Sequence, residues 1–258
     1  MTNCKSVSIP MATTELPLLG STEPPDPTLY HQLVGLLQYL TVTCPDLSYP
    51  VNRVCQHMHT PEAVHFLMVK RILRYVKSTL HLCLLISPSI DFTVQAFSDA
   101  DWAGSSIDHR STGGSVVYLG PNLVLWQSKK QLTVARSSTK SEYKALTNCF
   151  AEISWLVSLF GELHLPVSKP PILWCDNLRA TYLSANPVFH ARTKHIENDF
   201  HFVREKVAHK QLQIQFISTH DQVVDLLTKP LSSTRFSFFK DKLRLCSRPP
   251  STCEGSIG

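Results

Sequence analysis

Residues 92–130 read FTVQAFSDADWAGSSIDHRSTGGSVVYLGPNLVLWQSKK. Three strand-like runs lie in this stretch, Phe92–Phe97, Ser115–Leu119 and Asn122–Trp126, the last two separated by the Gly120-Pro121 turn. The best helix of the sequence follows, from about Thr139 to Leu163. Its apolar positions Tyr143, Leu146, Phe150, Ile153, Val157 and Phe160 alternate spacings of three and four, which builds one continuous face. Then come a short strand (Ile172–Cys175), a helix from about Leu178 to Ser184 and another from about Thr193 to Ala208. A strand over Leu212–Ile217 and a last helix from about Asp221 close the pattern. This order predicts an α/β domain, a mixed sheet with helices packed on it.

Upstream the character differs. Residues 1 to about 28 are rich in Pro, Thr and Ser and end in EPPDP at 23–27, an extended segment. From Thr28 to Ser78 the pattern is helical. Tyr30, Leu33, Leu37 and Leu40 recur at spacings of three and four, and Val64, Leu67, Val69, Ile72 and Val76 do much the same. Pro45, Pro50 and Pro61 cut this region into short helices. It carries no carboxylate cluster and reads as a small helical bundle without chemistry of its own.

Bulk properties bound the function classes. The chain has 258 residues, 43% of them hydrophobic and 17% charged, which fits a globular protein of one large or two modest domains. Its net charge of +5 is compatible with a polyanionic partner and too mild to require one. The eight cysteines contain no CxxC pair, so neither a disulfide framework nor a zinc knuckle is expected. The longest apolar run, Leu82–Ile86, is too short to span a bilayer, and Met1–Pro10 lacks the apolar core of a signal peptide. A soluble, intracellular protein is expected.

Four acidic residues fall where chemistry is placed in such a domain. Asp99 follows the run ending at Phe97; a turn-capping role is the ordinary alternative, and Asp101 is an equally placed rival. Glu142 lies in the first turn of the long helix, where Thr139-x-x-Glu142 has the form of a capping box. Asp176 sits between the strand ILWC and a helix, a common place for an N-cap. Asp225, in VVDLL, has four apolar neighbours; a single polar position on an outer helical face would explain it. Together they can converge at one edge of the sheet. Carboxylates held together repel unless cations neutralise them. Mg²⁺ suits this role, because it takes oxygen ligands and leaves sites for water and phosphate. Two such ions can activate a water and stabilise a departing oxygen. Lys129, Lys130, Arg136, Lys140 and Lys144 flank the proposed centre and can hold a nucleic acid backbone, although a solvated lysine-rich surface looks the same. Trp102 and Trp126 can stack on a substrate or belong to the core.

The motifs FSDADWAG, RSTGGSVVYLG, WQSKKQLTVARSSTKSEYKAL, LWCDNLRA, ARTKHIENDFHFVREKV and DQVVDLLTKPL, in this order, resemble the ribonuclease H domain of copia-type retrotransposon Pol polyproteins. The segment from Pro27 to Leu80 resembles the part that follows the polymerase palm in the same polyproteins. The resemblance runs from about Cys4 to Leu245 and implies a ribonuclease H-like fold, a five-stranded mixed sheet with flanking helices behind a small helical segment. The implied division is 1–90 for the reverse transcriptase segment, 91–245 for the ribonuclease H domain and 246–258 for a disordered tail. Matched position by position, the resemblance makes Asp99, Glu142, Asp176 and Asp225 the metal ligands and catalytic residues, and so selects Asp99 over Asp101. It implies two Mg²⁺ ions, with Mn²⁺ as a substitute, an RNA–DNA hybrid as substrate, and the upstream palm as partner. It also implies a cytoplasmic place within the element's virus-like particle. Glu197 and Asp199 are read as helix surface; His190 and His220 are candidates to assist product release. Lys140 and Ser141, and the valines before Asp225, depart from the usual family pattern. No Tyr-x-Asp-Asp polymerase signature occurs, and Met1 falls inside what the resemblance makes a longer polyprotein, so the chain is expected to be a fragment or a decayed copy. A catalytically silent remnant that only binds nucleic acid is therefore the alternative to the nuclease.

Overall fold

The computed structural model describes residues 4–13, 26–165, 167, 169–185 and 197–247. It divides into two compact units: 1–85 with 230–258, and 86–229.

In the first unit, α1 (Pro27–Leu40) starts with proline in its first turn and Asp26 as cap, whose carboxylate accepts from Thr28 N–H. Its buried stripe is Tyr30, Val34 and Leu37. A 3₁₀ turn over Pro45–Leu47 leads into α2 (Ser48–Cys55), and α3 (Ala63–Ser78) buries Val69, Ile72 and Tyr75. The strand β1 (Leu82–Leu84) closes the N-terminal part.

The second unit contains β2 (Val94–Asp101), β3 (Thr112–Leu119), β4 (Asn122–Lys130), α4 (Ser138–Glu162), β5 (Ile172–Cys175), α5 (Leu178–Ala185), α6 (Glu197–Ala208), β6 (Gln213–Phe216) and the single turn α7 (Asp225–Thr228). The sheet order is β4-β3-β2-β5-β6. β2, β3 and β4 form an antiparallel meander, while β5 runs parallel to β2 and β6 parallel to β5. The five-stranded mixed sheet with flanking helices is the ribonuclease H-like fold the sequence motifs imply. Side chains alternate across the sheet. Val94, Ala96 and Val117 therefore face the core built with Tyr143, Leu146, Phe150 and Ile153 of α4. Asp99 lies on the opposite face, in register with Gly114. The residues 193–196 expected to start α6, together with His190, lie outside the described residues.

The division at the C-terminus differs from the expected one. Instead of closing the ribonuclease H-like unit at 245, the helix α8 (Ser233–Lys242) and strand β7 (Leu245–Ser247) belong to the first unit. The physical cause is apolar burial and strand pairing. Phe236 and Phe239 are buried, Phe236 packs edge-on against Tyr75 at 5.7 Å between ring centroids, and β7 pairs with β1. The expected tail thus begins as a strand over 246–247, and 248–258 lie outside the described residues. The expected helix from Asp221 is likewise shortened to the one turn of α7, because Pro230 removes a backbone donor from any continuation. Among the described residues no helix is long and apolar enough to cross a membrane.

Candidate metal centre and nucleic-acid face

Each of the four acids is placed by a local device. β2 extends past the apolar run to Asp101, so Asp99 sits inside the paired strand, where the ladder to Gly114 fixes it. The cap of α4 is Ser137, not Thr139: its hydroxyl accepts from Lys140 N–H. Glu142 is consequently released from capping and is buried. Beyond β5, Asn177 caps the start of α5 by accepting from Ala180 N–H at 3.0 Å, which leaves Asp176 available. Asp225 is not on an outer face; it opens α7 and is only 2% exposed.

The structure brings these side chains together. Carboxylate oxygens of Asp99, Asp176 and Asp225 lie within 4.8 Å of one another. An oxygen of Glu142 lies within the same distance of Asp176 and of the Cys175 thiol. Asp101 is not among the clustered carboxylates. Three residues not singled out in the sequence complete the site. Thr228 donates to Asp99 Oδ2. Gln222 donates to Ser98 O at 2.9 Å, tying the segment before α7 to β2. Lys229 Nζ sits 2.7 Å from Asp225 Oδ1 and 3.6 Å from Asp99 Oδ2. The i,i+4 spacing of Asp225 and Lys229 on a helical turn is the sequence signal that marks this pair.

The cluster is electrostatically costly. Burial pushes the Asp99 carboxyl up to about 6, with Lys229 opposing and Asp225 and Asp176 adding repulsion. Burial, then Asp99 and Asp176, push Glu142 up to about 10. Burial also raises Asp176. Asp99 and Glu142 thus keep protons in the folded state that the unfolded chain has already released. Stability is full below their unfolded values of about 4 and falls as pH rises through about 6 for Asp99 and on toward 10 for Glu142. In EDTA the melting temperature should drop steadily between about pH 5 and about pH 9, and drop less in Glu142→Gln. A divalent cation held by the ionised forms would flatten the profile. Thermal melts at both ends of that range check this; a melting temperature that rises with pH in EDTA contradicts it.

The donor set fits a hard divalent cation. It is all oxygen, and Glu142 Oε2 is buried with no hydrogen-bond partner among the described residues. The soft Cys175 sulfur is engaged by Asn177 N–H at 3.4 Å. This cluster is consistent with divalent metal use.

The basic residues are placed less uniformly. Lys129 and Arg136 are exposed and Lys140 is half-buried. Lys130 pairs with Asp108 at 2.9 Å and donates to Ser105 Oγ, which reduces its free charge. Lys144 donates to Thr133. Lys129, Lys130, Gln131 and Lys144 line one cavity of about 400 Å³ beside α4. Trp102 is half-exposed, its indole donating to Ala135 O at 2.9 Å, and Trp126 is partly buried in β4. His220 is exposed beside Asp221.

A β4-β3-β2-β5-β6 sheet with an acidic cluster gathered from β2, α4, the end of β5 and α7 defines a ribonuclease H-like domain. No family model matches the chain. The Retrovirus-related Pol polyprotein from transposon RE2 of Arabidopsis thaliana is 48% identical over 258 residues, 100% of this chain and 18% of that protein. The Retrovirus-related Pol polyprotein from transposon TNT 1-94 of Nicotiana tabacum is 37% identical over 213 residues, 82% of this chain and 16% of that protein. Among solved structures, the foamy viral protease-reverse transcriptase in complex with RNA/DNA hybrid matches 82% of this chain and 27% of that chain, at 13% identity and a TM-score of 0.45. The chain belongs to the copia-type retrotransposon Pol polyproteins. It spans less than a fifth of the length of these relatives.

Proposed function

We propose that this domain hydrolyses the RNA strand of an RNA–DNA hybrid during reverse transcription, with Mg²⁺ held by Asp99, Glu142, Asp176 and Asp225. The observation that carries this reading is the convergence of four carboxylates from four separate elements, with Glu142 Oε2 buried and without a hydrogen-bond partner among the described residues. Such an arrangement stores repulsion that a cation relieves. Divalent ions held there would supply a water of lowered pKa and charge stabilisation for a leaving 3′ oxygen. The chain's own residues hold the geometry. Thr228 orients Asp99, and Gln222 anchors the approach to α7 on β2.

Lys129, Arg136 and Lys140, with Lys130 more weakly, would contact the phosphates of the hybrid, and half-exposed Trp102 would meet a sugar or base. Substrate choice would rest on A-form shape and 2′-hydroxyl contacts rather than on base sequence. The upstream polymerase palm of the polyprotein would deliver the hybrid.

The test is cleavage by the full chain of hybrids labelled on either strand, in Mg²⁺, Mn²⁺ or EDTA. The reading expects RNA fragments ending in a 3′ hydroxyl, only with metal, and an intact DNA strand. A folded chain that binds the hybrid and cuts neither strand in either metal is the silent remnant instead.

A further inference from the structure

Lys229 is the one strong cation within the acidic cluster among the described residues, and its placement is that of an ion. Its ammonium lies between Asp225 at 2.7 Å and Asp99 at 3.6 Å, on oxygens that belong to the candidate metal ligands. Asp176 adds to the field that holds it charged. The side chain is about one-third exposed, so a path to solvent is open. It is tethered four residues from Asp225, on the same short turn. A compact ammonium on a flexible stem can both bridge two carboxylates and leave them.

We propose that Lys229 is a built-in counter-ion: it holds Asp99 and Asp225 together in the metal-free domain and is displaced outward when a divalent cation enters. This rests on the four-carboxylate metal site proposed above and adds the step by which that site is kept folded while empty. The ammonium pairs with both carboxylates before metal arrives, so metal binding exchanges one cation for another. The cost of evicting Lys229 weakens the site for free metal and makes a second source of negative charge, the substrate phosphate, useful as a new partner for the released ammonium.

The experiment uses the full chain stripped with EDTA, without nucleic acid, and Mn²⁺ as the probe. Calorimetric titration compares wild type, Lys229→Met and Lys229→Arg, alongside melts with and without Mn²⁺. The Met variant should bind Mn²⁺ about tenfold more tightly, since no ion pair is given up on binding. It should melt lower than wild type in EDTA, with the gap closing at saturating Mn²⁺. The Arg variant, which keeps the charge, should stay near wild type in both measurements. A supporting scaffold without ion exchange predicts the opposite sign, equal or weaker binding in Lys229→Met, and that result overturns the proposal. If Lys229→Met does not fold, acylation of wild-type amines read by mass spectrometry decides. Lys229 should become several-fold more reactive on adding Mn²⁺ while exposed Lys210 does not change; unchanged Lys229 reactivity despite a binding heat overturns the proposal. No Mn²⁺ heat in any of the three proteins removes the metal site itself, and the proposal with it.

Discussion

Asp99→Asn should abolish RNA cleavage, by about a thousandfold or more, while leaving the domain folded. Asp99 is 2% exposed, near the end of a fully paired strand, and its oxygens lie within 4.8 Å of those of Asp176 and Asp225. The amide has the same shape and can still accept from Thr228, so packing is kept. What is lost is a formal charge at the centre of the cation site. A metal ion's electrostatic contribution of several kcal/mol corresponds to about three decades in rate. Stability should move the other way. Asp99 carries a pKa pushed up to about 6 by burial, so replacing it with a neutral group removes a cost above that pH. The variant should therefore melt at or above wild type in EDTA near pH 8, and gain less from Mg²⁺. Cleavage kinetics and paired melts measure both; an Asn variant cutting within about tenfold of wild type would remove Asp99 from the metal site.

Gly114→Val should be the most damaging change at a residue with no chemistry of its own. A Cβ at Gly114 would come 2.8 Å from Val224 Cγ1, 2.9 Å from Thr228 Cγ2 and 3.2 Å from Leu227 Cβ. All three belong to α7 or its first flank, so the bare strand surface lets this turn sit directly on β3. Asp225, Thr228 and Lys229 hang on that turn. Overpacking of this kind costs about 1–3 kcal/mol, and a branched side chain against three neighbours belongs at the upper end. The functional loss should be larger, because lifting α7 carries Asp225 away from Asp99. At Gly113, one residue away on the other face, a Cβ would meet Ala145 and Gln131 at an ordinary 3.6 Å, so Gly113→Ala should be close to wild type. Urea melts and the Mg²⁺-induced shift in melting temperature distinguish the two. A Gly114→Val protein with wild-type stability and a full metal shift would show that α7 does not depend on this contact.

The architecture was legible because apolar periodicity reports burial. The long helix over Ser138–Glu162 and the short strand Ile172–Cys175 stand where their spacing placed them. Where pairing continues without apolar residues, periodicity is silent. β2 runs on through Ser98–Asp101 because Thr112–Ser115 remain opposite, and this polar extension is what carries Asp99. The cap of α4 lies two residues before the expected Thr139 for a similar reason. Ser137 and Thr139 are both good cap residues, and only the backbone decides that Ser137 takes the role and frees Glu142. The allegiance of α8 to the helical unit was not legible, since the burial of Phe236 against Tyr75 is a long-range contact with no local mark. For the four acids, local reading left an ordinary alternative at every position. Family resemblance singled out the set, and the fold supplies the convergence. Lys229 was readable as an i,i+4 partner of Asp225 but not as a partner of Asp99, because that contact crosses between distant segments.

The most direct test of the central claim is an anomalous difference map from crystals of the full chain grown with Mn²⁺ and a non-cleavable hybrid. Mn²⁺ peaks bound by Asp99, Glu142, Asp176 and Asp225, with the RNA backbone alongside, are the predicted result. A map in which the hybrid is bound and no peak appears among these carboxylates, with Lys229 still between Asp99 and Asp225, would contradict it.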